Sequence, residues 1–302
     1  MSIAAWQSVT VPAPVQARRS PVRLRFILWL AATLVVVFAA VRWTSVLERV
    51  AFFHPGTTNY ATPPGIEEVE FATPDGKTLH AWFMPAKNRT EGSGPAPAIL
   101  HCHGNEGDIA AHASTSAYIP SAGISVLLFD YRGFGKSTPC TMLTRDELMT
   151  DAEAAYAYLK TRKDVDQSRI GAFGYSLGGV YALQLAARHP EIKCVGSVAA
   201  FCSWPSVASD FAPVLGRILI PSGLAAEDAA ALLGNRPLLL VHGDKDEIVG
   251  YSHGQRLLAV ATAAKVPAEL LTVVGGKHLN IFKPEVKQRI REFFAAKLDA
   301  SR

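Results

Sequence analysis

Four side chains stand where they could carry out nucleophilic catalysis. Ser176 is the centre of a Gly-x-Ser-x-Gly pattern, Asp244 and Asp246 follow one apolar run, and His278 follows the next apolar run along the chain. A serine hydroxyl is a weak nucleophile at neutral pH, and a histidine oriented by a carboxylate is the usual base that activates it. These residue types therefore indicate acyl transfer through a serine-bound intermediate.

The serine pattern predicts a sharp turn between a strand and a helix. Residues 170–175 are apolar, as in a buried strand, and 177–188 have helical spacing. Such a turn often requires a positive φ at the serine, and the flanking glycines remove side chains that would collide with neighbouring elements. It holds Oγ at the helix N-terminus, where the helix dipole favours negative charge. The alternative is an ordinary strand-to-helix turn without catalytic function.

Strands and helices alternate along residues 66–298. A hairpin at 66–84 comes first, and further strands are expected at 97–103, 124–131, 170–175, 194–200, 237–242 and 269–274. The expected helices are 108–117, 144–162, 177–188, 252–264 and 284–297. This alternation predicts a mostly parallel α/β sheet with helices on both faces. The serine, the acid and the histidine must then meet at the carboxyl edge of that sheet.

One segment interrupts the alternation. Residues 201–236 show no clear strand pattern and contain many large apolar side chains, among them Phe211, Leu215 and Ile218. We interpret this segment as a short apolar lid over the edge of the sheet.

The N-terminus carries an uncharged apolar run. Residues 1–25 are expected to be a disordered basic tail, and 26–43 a transmembrane helix or signal anchor, although the run is shorter than the roughly 20 residues that usually span a bilayer. A signal peptide cleaved near 37–39 and a buried core helix are the alternatives. Residues 44–65 are read as a connector.

The charge distribution limits the partners. Formal net charge is +4, and four arginines fall within the first 25 residues without an acid, so the rest of the chain is nearly neutral. This argues against a nucleic-acid surface. It also favours an N-terminus inside the cell, which in a bacterium places the catalytic domain in the periplasm; secretion after signal cleavage is the alternative.

Cysteine and histidine spacing gives no metal pattern. The four cysteines match no zinc motif, and a disulfide involving Cys140 or Cys202 would require an oxidising compartment. His101 and His103 share a strand face, and a metal pair there is a weaker alternative to structural side chains. The proposed chemistry needs no metal or organic cofactor.

Four motifs in order resemble the α/β-hydrolase superfamily over roughly residues 66–298, within a domain expected to span 66–302. They are His103-Gly104, the loop Asp-Tyr-Arg-Gly-Phe-Gly-Lys-Ser at 130–137, the serine turn, and His-Gly-x-x-Asp-x-x-Val at 242–249 before His278. The order serine, acid, histidine is also that of this superfamily. Together with the N-terminal apolar run, the motifs look most like a membrane-anchored subgroup of depalmitoylase-like and uncharacterised bacterial serine hydrolases. The resemblance implies a sheet of about eight strands.

The resemblance also assigns roles at the site. It implies that Asp246, three residues after His-Gly, is the acid, while Asp244 is a loop residue. The N–H of Leu177, directly after the nucleophile, is the first expected oxyanion donor. By resemblance the backbone N–H of Asn105 is the second, with Glu106 as the alternative.

The expected activity is hydrolysis of carboxylic esters or thioesters. The apolar lid and the N-terminal run suggest a lipid-like acyl group in the substrate. A serine peptidase or amidase would use the same three side chains, and a catalytically inactive binding protein of the same fold is a weaker alternative. A dehalogenase or epoxide hydrolase is disfavoured, because those enzymes use an aspartate where this chain has Ser176.

Overall fold

The computed structural model describes residues 21–44, 46–56, 59–90 and 92–299. Most of the basic tail expected at 1–25 lies outside the described residues. The described residues form ten strands: β1 (His54–Pro55), β2 (Glu67–Ala72), β3 (Thr78–Met84), β4 (Ala96–Cys102), β5 (Glu106–Gly107), β6 (Ser125–Phe129), β7 (Val165–Tyr175), β8 (Val195–Val198), β9 (Leu238–Gly243) and β10 (Ala268–Val273).

Ten α-helices lie within the same described ranges. They are α1 (Pro21–Thr44), α2 (Val46–Phe52), α3 (Ile109–His112), α4 (Arg145–Thr161), α5 (Leu177–Arg188), α6 (Trp204–Phe211), α7 (Pro213–Leu219), α8 (Ala226–Ala231), α9 (Tyr251–Ala263) and α10 (Pro284–Lys297).

Eight strands form one sheet in the order β10-β9-β8-β7-β4-β6-β3-β2. Only β3 runs against the others, because β2 and β6 both pair with it antiparallel while the remaining pairs are parallel. The central strands β4, β6 and β9 are buried at every position, as expected for parallel strands covered on both faces. The sequence-based prediction of a mostly parallel sheet of about eight strands is confirmed.

The two faces of the sheet bury separate apolar cores. One core contains side chains of α4, α5, α8 and α9, and the other contains side chains of α3 and α10. Alternating residues of β4 divide between them, with Leu100 in the first core and Ile99 in the second. The carboxyl ends of the parallel strands therefore open between two helical layers.

Two charged side chains of the loop after β6, Asp130 and Arg132, fix the position of that loop through hydrogen bonds. Asp130 is fully buried and accepts the backbone N–H of Ile109 at 2.9 Å, which ties this loop to the start of α3. Arg132 donates to Asp151 at 2.7 Å and to Asp75 at 2.6 Å. The charged residues of the Asp-Tyr-Arg-Gly motif thus have a structural role, which is to hold this loop in place.

The N-terminal segment has two helices, and α1 covers the apolar run at 26–43. Among the residues whose side chains are described, no helix has both the length and the apolarity to cross a membrane. The transmembrane helix expected at 26–43 is therefore not supported.

The expected connector at 44–65 contains an element that docks on the body of the protein. On α2, Glu48 is buried and accepts from Arg145 at 2.6 Å, and both side chains are less than a tenth exposed. The guanidinium of Arg145 also donates to the Pro221 carbonyl at 2.9 Å and lies 4.2 Å from the ring centroid of Trp204. Phe52 meets the same Trp204 edge-on at 5.2 Å. One arginine thus joins α2 to the lid segment.

Three local expectations are refined. The helix expected at 108–117 is α3 followed by a 3₁₀ turn at Ala113–Thr115, where the Thr115 hydroxyl donates to the His112 carbonyl at 2.7 Å. Within 201–236, α6 and α7 cover a cavity, whereas α8 packs in the core beside α5 and α9. All four cysteines are free.

Candidate active site

The turn between β7 and α5 holds Ser176 in a strained conformation. Ser176 has φ of 55° and ψ of −121°, so the predicted positive φ is confirmed. A Cβ on Gly178 would lie 1.9 Å from the Cys102 carbonyl oxygen, and a Cβ on Gly174 would lie 2.1 Å from the Gly178 oxygen. Both glycines are therefore required by close backbone packing against the end of β4 and within the turn.

The serine, the histidine and one aspartate form a continuous hydrogen-bonded row. His278 Nε2 lies 3.0 Å from Ser176 Oγ, and His278 Nδ1 lies 2.7 Å from Asp246 Oδ2. The three residues are 6, 5 and 8% exposed. The consistent arrangement has Oγ–H donating to Nε2 while Nδ1–H donates to the carboxylate.

Backbone donors fix the second oxygen of Asp246. Its Oδ1 accepts the N–H groups of Ile248 at 3.0 Å and Val249 at 2.9 Å. Burial raises the pKa of this carboxyl, but hydrogen bonds from His278 and from these two N–H groups outweigh it and leave the pKa below the usual aspartate value. His242 Nε2 donates to the Val249 carbonyl at 2.8 Å, so this second histidine supports the loop that presents the acid.

Asp244 lies elsewhere on the same loop. Its Oδ1 accepts the N–H of Gly275 at 2.6 Å, and its own N–H donates to the Val273 carbonyl at 3.2 Å. Asp244 thus joins the loop after β9 to the turn after β10. Of the two candidate acids, the structure brings Asp246 to His278.

Tyr175 supports the histidine from the side of the sheet. Its hydroxyl donates to the His278 carbonyl at 3.0 Å, and the two ring centroids are 5.2 Å apart. Since Tyr175 directly precedes Ser176, the strand that carries the serine also fixes the loop that carries the histidine.

The loop after β4 has four successive carbonyls that each accept a hydrogen bond. Two donors are backbone N–H groups of the N-terminal segment and two are histidine side chains. The pairs are His103 Nδ1 to Gly104 (2.7 Å), His54 N to Asn105 (2.8 Å), His112 Nε2 to Glu106 (2.8 Å) and Gly56 N to Gly107 (2.8 Å). Every peptide plane from Gly104 to Gly107 is therefore oriented before any ligand arrives.

His103 sets the direction of the candidate oxyanion donor. Burial is the main reason why the pKa of His103 falls to about 3, so its ring is neutral and Nδ1 carries the proton given to the Gly104 carbonyl. In a trans peptide the C=O and the following N–H point in opposite directions. Holding the Gly104 oxygen toward His103 therefore turns the N–H of Asn105 away from His103.

A cavity of about 480 Å³ adjoins the serine. Its polar contributors are Asn105 and Ser176, and the rest of its wall is almost entirely apolar. The wall is formed by Val50, Ala51, Phe52, Leu177, Phe201, Val207, Ala208, Phe211, Ala212, Leu215, Gly216, Leu219, Ile220, Ile248 and Val249. The cavity runs between α2, α6 and α7.

A row of side chains, buried at His253 and Cys202 and partly exposed at Asp210, ties the lid to the body. His253 on α9 donates through Nε2 to Asp210 on α6 at 2.8 Å. Its Nδ1 accepts the backbone N–H of Cys202 at 3.2 Å and lies 3.0 Å from the Cys202 sulfur. This row fixes the position of α6 above the cavity.

The remaining histidine candidates have structural partners. His101 Nδ1 lies 2.8 Å from the Ser116 hydroxyl, and His103 is stacked on His112 with ring centroids 5.1 Å apart. Within the described part of the chain, no group of three or more His, Cys, Asp or Glu residues is arranged to hold a metal ion.

Sequence reasoning missed the contribution of the N-terminal segment. Val50 and Phe52 line the cavity, and His54 holds the loop of Asn105. The run Phe52-Phe53-His54-Pro55 is an apolar island in an otherwise unpatterned stretch. That island was the available signal that 44–65 packs against the domain.

Comparisons with known proteins identify the family. The sequence profile of the prolyl oligopeptidase family matches residues 111–301. The chain belongs to this family of α/β-hydrolases. It is 32% identical to the uncharacterised protein YfhR of Escherichia coli over 82% of the chain and 87% of that protein. It is also 28% identical to the Arabidopsis thaliana α/β hydrolase domain-containing protein WAV2, over 71% of the chain and 72% of the relative.

Solved structures show the same fold for this family member. An esterase from Pyrococcus furiosus superposes with a TM-score of 0.69 at 19% identity, covering 82% of the chain and 99% of the esterase. An acylaminoacyl peptidase from Pyrococcus horikoshii gives a TM-score of 0.62 at 18% identity, covering 77% of the chain and 41% of the peptidase. These two neighbours share the fold, but one is named as an esterase and the other as a peptidase.

The close packing at the serine turn predicts that a glycine substitution there is far more destabilising than one at an open position. Gly178→Ala forces a Cβ into the backbone of β4, so we expect a loss of about 3 kcal/mol or more in the free energy of unfolding. Gly250→Ala is the control, and we expect it to leave the free energy of unfolding nearly unchanged, because no atom lies closer than 3.7 Å to its Cβ position. Urea unfolding followed by circular dichroism measures both. A Gly178→Ala protein as stable as Gly250→Ala would contradict the packing described for the turn.

Proposed function

We propose that this protein is a serine hydrolase that cleaves carboxylic esters or thioesters through an acyl-enzyme intermediate. The supporting observation is the Ser176–His278–Asp246 row placed at the edge of an apolar cavity of about 480 Å³. Membership of a hydrolase family agrees with this chemistry.

In the first step, Ser176 Oγ attacks the acyl carbonyl carbon as its proton passes to His278 Nε2. Asp246 keeps the proton on Nδ1 and stabilises the imidazolium that forms. The C=O electron pair moves to oxygen, and the N–H groups of Leu177 and Asn105 stabilise that oxyanion. Removing one such donor typically raises the barrier by about 3 kcal/mol.

In the second step, the imidazolium returns the proton to the leaving alcohol or thiol as the tetrahedral intermediate collapses. Water then attacks the acyl-serine, with His278 taking its proton. Collapse of the second intermediate releases the carboxylic acid and restores the Ser176 hydroxyl. The cycle thus consumes one water molecule and returns Ser176, His278 and Asp246 to their starting protonation states.

The lining of the cavity favours an acyl chain over a peptide. A peptide brings an N–H and a C=O with every residue, and burying them without partners is costly. The cavity wall offers almost only apolar surface, which suits an alkyl chain. A lipid-like acyl ester or thioester is therefore the substrate class that we propose.

A peptidase or amidase is the second candidate. The match to the prolyl oligopeptidase family favours it, and so does the likeness in fold to an acylaminoacyl peptidase. The same three side chains would cleave an amide. Parallel assays with esters and matched anilides separate the two activities.

We also infer that the N-terminal run at 26–43 attaches the protein to a membrane, with the N-terminus inside the cell and the catalytic domain outside the cytoplasm. The support is in the sequence: an uncharged run preceded by four arginines within the first 25 residues. Protease access to the catalytic domain in intact spheroplasts tests this orientation, and full protection would refute it.

Replacing the two aspartates separately tests the assignment of the acid. Asp246→Asn leaves the shape but removes the charge opposite His278, so we expect kcat for p-nitrophenyl butyrate to fall on the order of 10⁴-fold. Asp244→Asn is the matched control on the same loop, with kcat expected within about tenfold of the wild-type value. Equal losses in the two variants would refute the assignment.

A series of p-nitrophenyl esters tests the acyl cavity. Each buried methylene is worth about 0.8 kcal/mol, so kcat/KM is expected to rise up to about fourfold per methylene until the cavity is filled. Ser176→Ala gives the uncatalysed background. A flat response in an enzyme that hydrolyses the acetate would contradict the acyl cavity while leaving the hydrolase proposal intact.

A further inference from the structure

The mouth of the cavity is surrounded by exposed apolar side chains. Val50 on α2, Phe211 on α6, Leu215 on α7 and Ile248 after β9 all line the cavity, yet they are 69, 67, 59 and 43% exposed. They come from four separate segments and meet around one opening. We call this set the collar.

The apolar surface continues beyond the cavity along the outer side of α7. Val214 and Ile218 are one helical turn apart and are 69 and 46% exposed, and neither lines the cavity. Gly216 of the same helix is buried against α6, where a Cβ would lie 2.4 Å from the backbone of Ala208. The helix therefore packs tightly on its inner side while presenting large apolar groups outward.

A second apolar element approaches this surface. The described side chains of α1 from Phe26 to Phe38 include ten large apolar groups, all more than two-fifths exposed. Helix α1 comes into contact with α7. The collar and the outer side of α7 thus share one helix, and α1 brings further exposed apolar side chains to that helix, more than the scattered apolar side chains of an ordinary soluble surface.

Charge on the lid is compatible with a lipid headgroup layer. Helices α6 and α7 contain two charged residues, Asp210 and Arg217. The carboxylate of Asp210 is already bonded to His253, whereas Arg217 is exposed on the same helix as Val214 and Ile218. Among the described side chains of α6 and α7, Arg217 is therefore the cation available to anionic lipids, while the one acid, Asp210, is partly exposed and hydrogen-bonded to His253.

We propose that the collar and the outer side of α7 dock on a lipid surface, so that an acyl chain enters the cavity directly from the lipid phase. The inference rests on the proposed hydrolase function. Passage through water would expose every methylene at about 0.8 kcal/mol each, whereas a docked collar keeps the chain in an apolar environment throughout. A lipid surface is favoured over a protein partner because the docked region encloses the opening of the acyl cavity.

The test uses the full-length protein with the double change Val214→Asp and Ile218→Asp. The control is Leu232→Asp, which places an acid at an apolar residue that is 67% exposed at the end of α8 and lines no part of the cavity. Vesicles contain equal parts of phosphatidylcholine and phosphatidylglycerol and carry a long-chain p-nitrophenyl ester. Soluble p-nitrophenyl acetate is assayed in parallel.

The docking model predicts a selective loss. The double variant should hydrolyse the vesicle-borne ester at least about tenfold more slowly than wild type, with reduced cosedimentation with vesicles, because charges now face the lipid. Hydrolysis of p-nitrophenyl acetate should be unchanged, and Leu232→Asp should match wild type in every assay.

Other outcomes overturn the proposal in distinguishable ways. Equal hydrolysis of vesicle-borne ester by the double variant and wild type would refute docking through this surface. Loss of a wild-type dimer in the double variant, with vesicle hydrolysis retained, would assign the surface to a second copy of the chain. Absence of acetate hydrolysis by wild type would refute the hydrolase function, and the difference in cosedimentation between wild type and the double variant, which carry the same N-terminal run, would then still report on docking.

Discussion

The backbone contact between Gly178 and Cys102 is the constraint from which the site follows. It brings the first turn of α5 against the end of β4 so closely that no side chain fits between them. The chain enters the helix at that distance with a positive φ at Ser176. Strain at a single serine is thus maintained by packing on both sides, and Oγ is left at the carboxyl edge of the sheet. The contact also places the loop of Asn105 next to Leu177, since that loop begins where β4 ends.

The surrounding layers hold the partners of the serine with little freedom. Asp246 is fixed by backbone N–H groups, His278 by Tyr175, and the loop of Asn105 by a donor on each of its carbonyls. Such preorganisation is the main way in which enzymes stabilise developing charge, because no reorganisation is left for the moment of reaction. Helix α2 fixes part of the cavity wall in the same way. Its buried Glu48–Arg145 pair couples the N-terminal segment to the lid, so the cavity wall belongs to both.

Local patterns carried most of the information that sequence reasoning could use. The alternation of apolar runs specifies the sheet, and the spacing of glycines around Ser176 specifies the turn, because both depend on neighbours within a few residues. The choice between Asp244 and Asp246 is different, since each follows the same strand and only the resemblance separated them. The docking of α2 was missed because it depends on a contact between residues 97 positions apart. The apolar run at 26–43 shows the reverse case: its composition suggested a bilayer span that the described helix does not support.

Locating the reactive residue by covalent labelling tests the central claim most directly. One sample of the full-length protein is treated with a fluorophosphonate while folded and a second after unfolding in urea, and both are then digested and analysed by mass spectrometry. A single adduct on Ser176 of the folded sample, absent from the sample labelled after unfolding and absent from Ser176→Ala, is the predicted result. No adduct on the folded protein, or an adduct on a different residue that persists in Ser176→Ala, would contradict the assignment of Ser176 as the activated nucleophile.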